Sequence, residues 1–141
     1  VIILDTDHLT LLAFDTKGAG KRLRDRLETV ADDMVATTII TYEEQTRGWL
    51  AYQSRQRSVP AMIEACARLA RHVAMYRSLR VLDFDQAAAH VFIGLRRAQR
   101  RIGTMDLKIA AIAISQGAIL LSVNRSDFGL IDGLRLEDWT H

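Results

Sequence analysis

Carboxylates recur at four places in this chain, each where an apolar run gives out or a helical pattern begins. They are ILDTD with Asp5 and Asp7, TTIITYEE with Glu43 and Glu44, GTMDLKIAA with Asp106, and LLSVNRSDF with Asp127. An open parallel α/β sheet collects its ligand site at the carboxyl ends of its strands, so segments of this kind are able to converge on one point. Carboxylates brought together without a cation repel and hold on to protons, which makes such a cluster costly unless a positive partner occupies it. With no competing His or Cys cluster, the fitting partner is a hard divalent cation taken up through oxygen, Mg²⁺ or Mn²⁺.

Each acid also has a plain structural role. Asp5 and Asp7 could end a strand and cap a helix, and Asp106 could sit in a first helical turn for the helix dipole. Glu44 could pair with Arg47 on a helix face, and Asp127 could be a turn residue. The four histidines, His8, His72, His90 and His141, have no paired spacing with one another or with Cys66, which argues against zinc. No Gly-x-Ser-x-Gly elbow is present for a nucleophilic serine.

The elements that must position these acids can be read from the hydrophobic pattern. Residues 1–4 are an unbroken apolar run ending at Asp5, which predicts a buried parallel strand. A helix follows with Leu9, Leu12 and Ala13 at helical spacing, and residues 15–20 break it. Over about 21–30, Leu23, Leu27 and Val30 recur on an amphipathic helix whose other face is basic. Residues 34–41, rich in β-branched side chains, predict the second strand. A helix from Tyr42 through Trp49, the polar stretch SRQRSV, and a helix over about 60–78 opened by Pro60 form an antiparallel hairpin. Its second helix carries Met62, Ile63, Cys66, Leu69, Val73 and Tyr76 on one broad stripe. Residues 81–84 predict a third strand, and Asp85 caps a helix that turns Ala88, Val91, Phe92 and Leu95 inward. Thr104 is the expected N-cap of the helix MDLKIAAIAISQ, ended by Gly117; AILLSV is the fourth strand and LRL a short fifth. Strands alternating with helices predict one α/β domain over residues 1–141 with a mainly parallel sheet and no internal repeat.

A chain of 141 residues is of single-domain size and buries about two thirds of the surface its unfolded form exposes. Cys66 has no partner for an intramolecular disulfide and is expected to be a buried, inert thiol. No apolar stretch approaches the roughly 18–20 residues needed to cross a bilayer, and no charged region precedes the VIIL run, so the expectation is a soluble cytoplasmic protein with no membrane partner. The net charge of +2 conceals basic runs at 21–26, 55–57 and 96–101. They suit a phosphate backbone as readily as they suit ordinary solvated helix faces.

At these residues, and over nearly the whole chain, the sequence resembles the PIN-domain ribonucleases and, among them, the VapC toxins of type II bacterial toxin–antitoxin pairs. ILDTDHLTLL is similar to the family's LDTN or LDTD opening. TTIITYEEQTRG is similar to its T-x-x-E-L-x-x-G segment, where the spacing to Gly48 makes Glu44 the matching acid. IGTMDLKIAA resembles the I-G-x-x-D-x-x-I-A-A helix, followed by a strand and an N-x-x-D/E-F turn, and GLRLEDW resembles the closing strand. The resemblance implies a PIN-like three-layer α/β/α sandwich with a mainly parallel central sheet and a protruding helical hairpin. It also implies a Mg²⁺- or Mn²⁺-dependent endoribonuclease, the toxin of such a pair, inhibited by a cognate antitoxin protein and usually a homodimer. Asp5, Glu44 and Asp106 carry over directly. The fourth position is often Asp in the family; this chain has Asn124, with Asp127 three residues later, and Asp7 replaces the commoner Asn.

On this reading Asp5 and Asp106 are the metal ligands, Glu44 and Asn124 act through bound water, and Asp127 supports them. The bound cation would acidify the attacking water and polarise the phosphate. Arg100 and Arg101, just before Gly103, would hold the backbone of RNA, with unstacked single-stranded loops as the substrate form. An amphipathic partner segment is expected on the N-terminal helices at Leu9, Leu12 and Leu23. Two alternatives compete. One is a haloacid-dehalogenase-type phosphatase, whose Asp-x-Asp opening matches Asp5-Thr6-Asp7 although Leu9 stands where that motif wants Thr or Val. The other is a non-catalytic interaction module on a PIN-like fold.

Overall fold

The computed structural model describes residues 1–141. Its strands are β1 (Ile2–Leu4), β2 (Val35–Thr38), β3 (Arg80–Leu82), β4 (Ile119–Leu121) and β5 (Arg135–Glu137). Its helices are α1 (Thr6–Phe14), α2 (Gly18–Leu27), α3 (Ile39–Ser54), α4 (Val59–Arg77), α5 (Gln86–Ala98), α6 (Thr104–Ser115) and the short α7 (Arg125–Phe128). The sheet order is β3-β2-β1-β4-β5 and every pairing is parallel, with Ile3 of β1 opposite Ala36 on one side and Leu120 on the other. Winding starts at β1, moves outward through β2 and β3, then crosses back to β4 and β5. The crevice at the carboxyl ends of β1 and β4 is therefore the topological switch point, where such sheets bind their ligands.

Alternation along the strands divides the core into two layers, as the three-layer expectation requires. Ile3, Ala36 and Leu120 face α5 and α6, packing with Phe92, Leu107 and Ile109. Ile2, Leu4 and Leu121 face the opposite way, toward Leu9 of α1, Leu23 of α2, Tyr76 of α4 and Trp139. Helix α6 is apolar nearly all round, and its fully buried Ala110, Ala111 and Ala113 let it lie close against its neighbours. No helix is long and apolar enough to cross a membrane.

The structure changes several local expectations. The β-branched run 34–41 splits: β2 stops at Thr38 and α3 starts at Ile39. Buried Thr38 is the N-cap, its Oγ1 accepting the Thr41 N–H at 3.0 Å, so the cap overrides the β propensity of Ile39, Ile40 and Thr41. Gly103, not Thr104, occupies the N-cap position of α6, without a side-chain cap. Asp85 caps α5 as expected, accepting the Ala88 N–H at 2.9 Å. Helix α2 begins at Gly18, inside the stretch expected to break, because Asp15 accepts the backbone N–H groups of Lys17 and Gly20. Cys66 is exposed rather than buried, as are Met62, Val73 and Ile63, the last at 66 %. Most of the α4 stripe therefore faces outward from this chain, while Tyr76 at its end turns into the core. Leu9 and Leu23, expected at a partner surface, lie in the core.

Thr38 joins β2 to the helix that carries Glu44, so its loss should be felt in stability. Thr38→Ala should cost about 1–2 kcal/mol in urea unfolding, with Thr38→Ser recovering most of it; an unchanged midpoint would show that the cap contributes nothing.

Candidate metal and catalytic site

Asp5 follows directly from β1 and stands at the N-cap position of α1, yet its side chain makes no cap bond. Instead Oδ2 accepts the Ser122 hydroxyl at 2.8 Å, across the switch point at the end of β4. Only 8 % exposed, Asp5 has its carboxyl pushed up to about 6, by burial first and then by the neighbouring charges of Asp7 and Asp106. Glu44 lies one turn and a half into α3 and is likewise raised, by burial and then by Asp5 and Asp106. Asp106, in the first turn of α6, is raised by burial and then by the charge of Asp127.

Asp5, Asp7, Glu44, Asp106 and Asn124 line one open cleft, together with Gln45, Gly48, Trp49 and Tyr52 of α3. Asp127 does not line it and acts on the cleft through Asp106. Arg100 and Arg101 are exposed in the turn that precedes α6 and are not among the cleft residues. The alternative Glu44–Arg47 pair is not formed, because Arg47 binds Glu43 at 2.5 Å. That arrangement leaves Glu44 facing the cleft. Asn124 caps α7, its Oδ1 accepting the Ser126 hydroxyl at 3.0 Å and the Asp127 N–H at 3.4 Å.

Asp7 is held differently from the other acids. Its Oδ2 accepts the Val123 N–H at 3.2 Å and lies 3.2 Å from the Ser122 hydroxyl, while Oδ1 is 2.6 Å from Nδ1 of His8. His8 is fully buried, and its Nε2 accepts the Trp139 N–H at 3.1 Å, so Nδ1 carries the proton and donates to Asp7. Hydrogen bonds thus tie the C-terminal segment through His8 to Asp7, and Asp7 and Asp5 meet at Ser122, whose single hydroxyl proton goes to the nearer Asp5. Spacing and motif reading missed Ser122. The available signal was a lone hydroxyl closing the apolar strand AILLSV, where a buried Ser must find a partner.

The donor set fits a hard divalent cation, since every candidate ligand offers oxygen and the acids destabilise one another without one. No three of the acidic, histidine or cysteine side chains close into a ready-made cage. A cation here would complete its shell with water, as Mg²⁺ prefers.

The model of the PIN domain matches residues 2–134. The chain belongs to the PIN-domain family. Ribonuclease VapC1 of Haemophilus influenzae (strain R2866) is 28 % identical to it over 141 residues, covering 99 % of this chain and 98 % of that protein. A tRNA(fMet)-specific endonuclease VapC of Shigella flexneri is 41 % identical over 64 residues, which is 43 % of this chain and 48 % of that protein. Among solved structures, VapBC-1 from nontypeable Haemophilus influenzae superposes with a TM-score of 0.76 at 22 % identity, covering 99 % of this chain and 98 % of that one, and so shares the fold. Membership in the PIN family sets aside the phosphatase alternative.

The raised Asp5 pKa has a definite consequence for the metal-free protein. A carboxyl whose folded pKa of about 6 exceeds its ordinary value of 3.8 adds stability below 3.8 and loses it as pH rises through 6. Asp5→Asn, in EDTA, should therefore melt higher than the parent at pH 7.5, by up to about 3 kcal/mol, and the gap should close as pH falls toward 4. A gap independent of pH would mean that Asp5 is not under this strain.

Proposed function

We propose that this PIN domain is a Mg²⁺- or Mn²⁺-dependent endoribonuclease, the toxin half of a toxin–antitoxin pair. The observation that carries the reading is the meeting of Asp5, Glu44 and Asp106 at the switch point, each with its pKa raised partly by neighbouring carboxylates. The names of the full-length Haemophilus relative and of the Shigella relative, both VapC nucleases, support it.

Asp5 and Asp106 would hold the cation, with Asp5 fixed in place by the Ser122 hydroxyl. When bound, the cation supplies an acidified water and draws negative charge from the phosphate. Glu44, which makes no ion pair with Arg47, would orient the attacking water and take its proton, for which a raised carboxyl pKa is suited. Asn124 offers an amide in the same cleft without charge, while Asp127 keeps the Asp106 proton affinity high. Arg100 and Arg101, exposed beside the start of α6, are proposed contacts for the RNA backbone.

The antitoxin is proposed to enter the apolar groove of about 660 Å³ between α1, α3 and α4, where Leu12, Phe14, Met75 and Leu79 offer anchors and Arg68 and Arg71 favour an acidic segment. Thr10, Gln45 and Trp49 line both this groove and the acidic cleft, so an occupant of the groove reaches the site itself. This placement replaces the one at Leu23. The outward stripe of α4, with Met62, Ile63 and Val73, is the kind of patch that a second copy of the chain would cover, in keeping with the proposed homodimer.

Glu44→Gln and Asp106→Asn should each lower Mg²⁺-dependent cleavage of single-stranded RNA by roughly a hundredfold or more while melting no lower than the parent in EDTA. Cleavage that persists in EDTA, or at the parental rate in both variants, would refute the nuclease assignment; no cleavage by the parent with either metal would favour the non-catalytic module.

A further inference from the structure

Beyond the acids, one face of α3 enters the cleft: Glu44, Gln45, Gly48, Trp49 and Tyr52 recur at helical spacing and line it together. We infer that Trp49 and Tyr52, with Arg68 above them, form a nucleobase-stacking subsite for single-stranded RNA beside the metal site. The inference rests on the nuclease reading and adds to it where the substrate's base is held.

Three observations lead there. The rings of Trp49 and Tyr52 are 6.0 Å apart in an edge-to-face arrangement, and both are only half-buried. A side chain of this kind at the edge of a cleft offers a π-face that any base can use. The Arg68 guanidinium lies 5.9 Å from the Trp49 ring and 5.5 Å from that of Tyr52, held by Glu64 at 3.2 Å. It lines the adjoining groove rather than the acidic cleft, so its positive charge borders the aromatic pair on the side away from the carboxylates.

Gly48 is the third observation. A glycine inside a helix costs about 1 kcal/mol relative to alanine, and packing does not account for it here, since a Cβ at Gly48 would meet nothing within 4 Å. It stands one turn after Glu44 and directly before Trp49, on the cleft surface. The missing side chain leaves an open path along the helix from the catalytic carboxylate to the aromatic pair. Trp49 is five residues beyond Glu44, about 7.5 Å along the axis, so a base stacked on it lies beside the reacting phosphate and not over it.

Trp49 also reports on its own occupancy. The chain has two tryptophans, and Trp139 is buried at 6 % exposure under the Arg26 guanidinium, 4.1 Å from its ring. A short oligouridylate titrated into the full chain carrying Asp106→Asn, which prevents turnover, should quench tryptophan fluorescence. An abasic ribose–phosphate strand of equal length should bind more weakly and quench little. In the same background Trp49→Ala should weaken oligouridylate binding by roughly 5- to 100-fold, whereas Trp49→Phe should keep most of the affinity and lose the quenching. Gly48→Leu, whose Cβ would meet nothing within 4 Å, should leave the fold intact and weaken RNA binding as well.

Equal binding of the two strands without quenching, or parental affinity in both Trp49→Ala and Gly48→Leu, would overturn the inference and leave Trp49 to the partner groove alone. If the parent cleaves RNA while quenching is absent, the stacking subsite fails and the nuclease reading stands. If oligouridylate quenches Trp49 in a protein that never cleaves, the subsite stands and the nuclease reading fails.

Discussion

The burial of the Asp5 carboxyl at the end of the central strand is the constraint around which the rest of the site is arranged. A parallel sheet that reverses its winding between β1 and β4 leaves a crevice there, and the chain fills it with acids rather than with apolar side chains. The charge is costly in a buried place, which is why its pKa rises, and partial burial raises Glu44 and Asp106 as well. Ser122 and Asp7 give the Asp5 region a fixed geometry, and buried His8 anchors that geometry to the C-terminal segment through the Trp139 N–H. Such a site is less stable empty than an apolar one would be, and the proposed cation offsets that cost.

Helix α3 is the second organising element. Its start is set by the Thr38 cap, one residue after β2 has passed beside β1, and that start decides where Glu44 falls. From there the 3.6-residue period brings Gly48, Trp49 and Tyr52 to the same face. Tyr76 of α4 donates its hydroxyl to Gln45 at 2.5 Å, so the hairpin holds α3 at the point where the acidic cleft and the apolar groove share a wall. Chemistry and partner recognition are thereby proposed on opposite sides of the same few residues.

The outward face of α4 departs from what an isolated globular domain needs. Its stripe of Met62, Ile63 and Val73 reads in the sequence as a core stripe, and Cys66 lies on it exposed. Periodicity reports that a helix buries one face, without saying whether the cover is this chain or another. Here the inner partner of α4 is α3, contacted through the buried His72 and Tyr76, and the rest of its apolar surface stays exposed.

The sequence by itself determined the order of the elements and the parallel class of the sheet, and its resemblance to a family pointed to Asp5, Glu44 and Asp106 as residues that the fold brings to one cleft. Unbroken apolar strands, helical spacing and acidic strand ends are local signals that survive in one dimension. Tertiary structure decided what depends on distance between remote segments. It chose Glu43 over Glu44 as the partner of Arg47, turned Ile39 to Thr41 from strand to helix through a buried cap, and sent Leu9 and Leu23 to the core. It also brought Ser122 to Asp5 across 117 positions and set Asn124 to capping α7. Hydrogen-bond partners and burial are properties of packing, and a linear pattern carries the residue types that could meet without carrying which of them do.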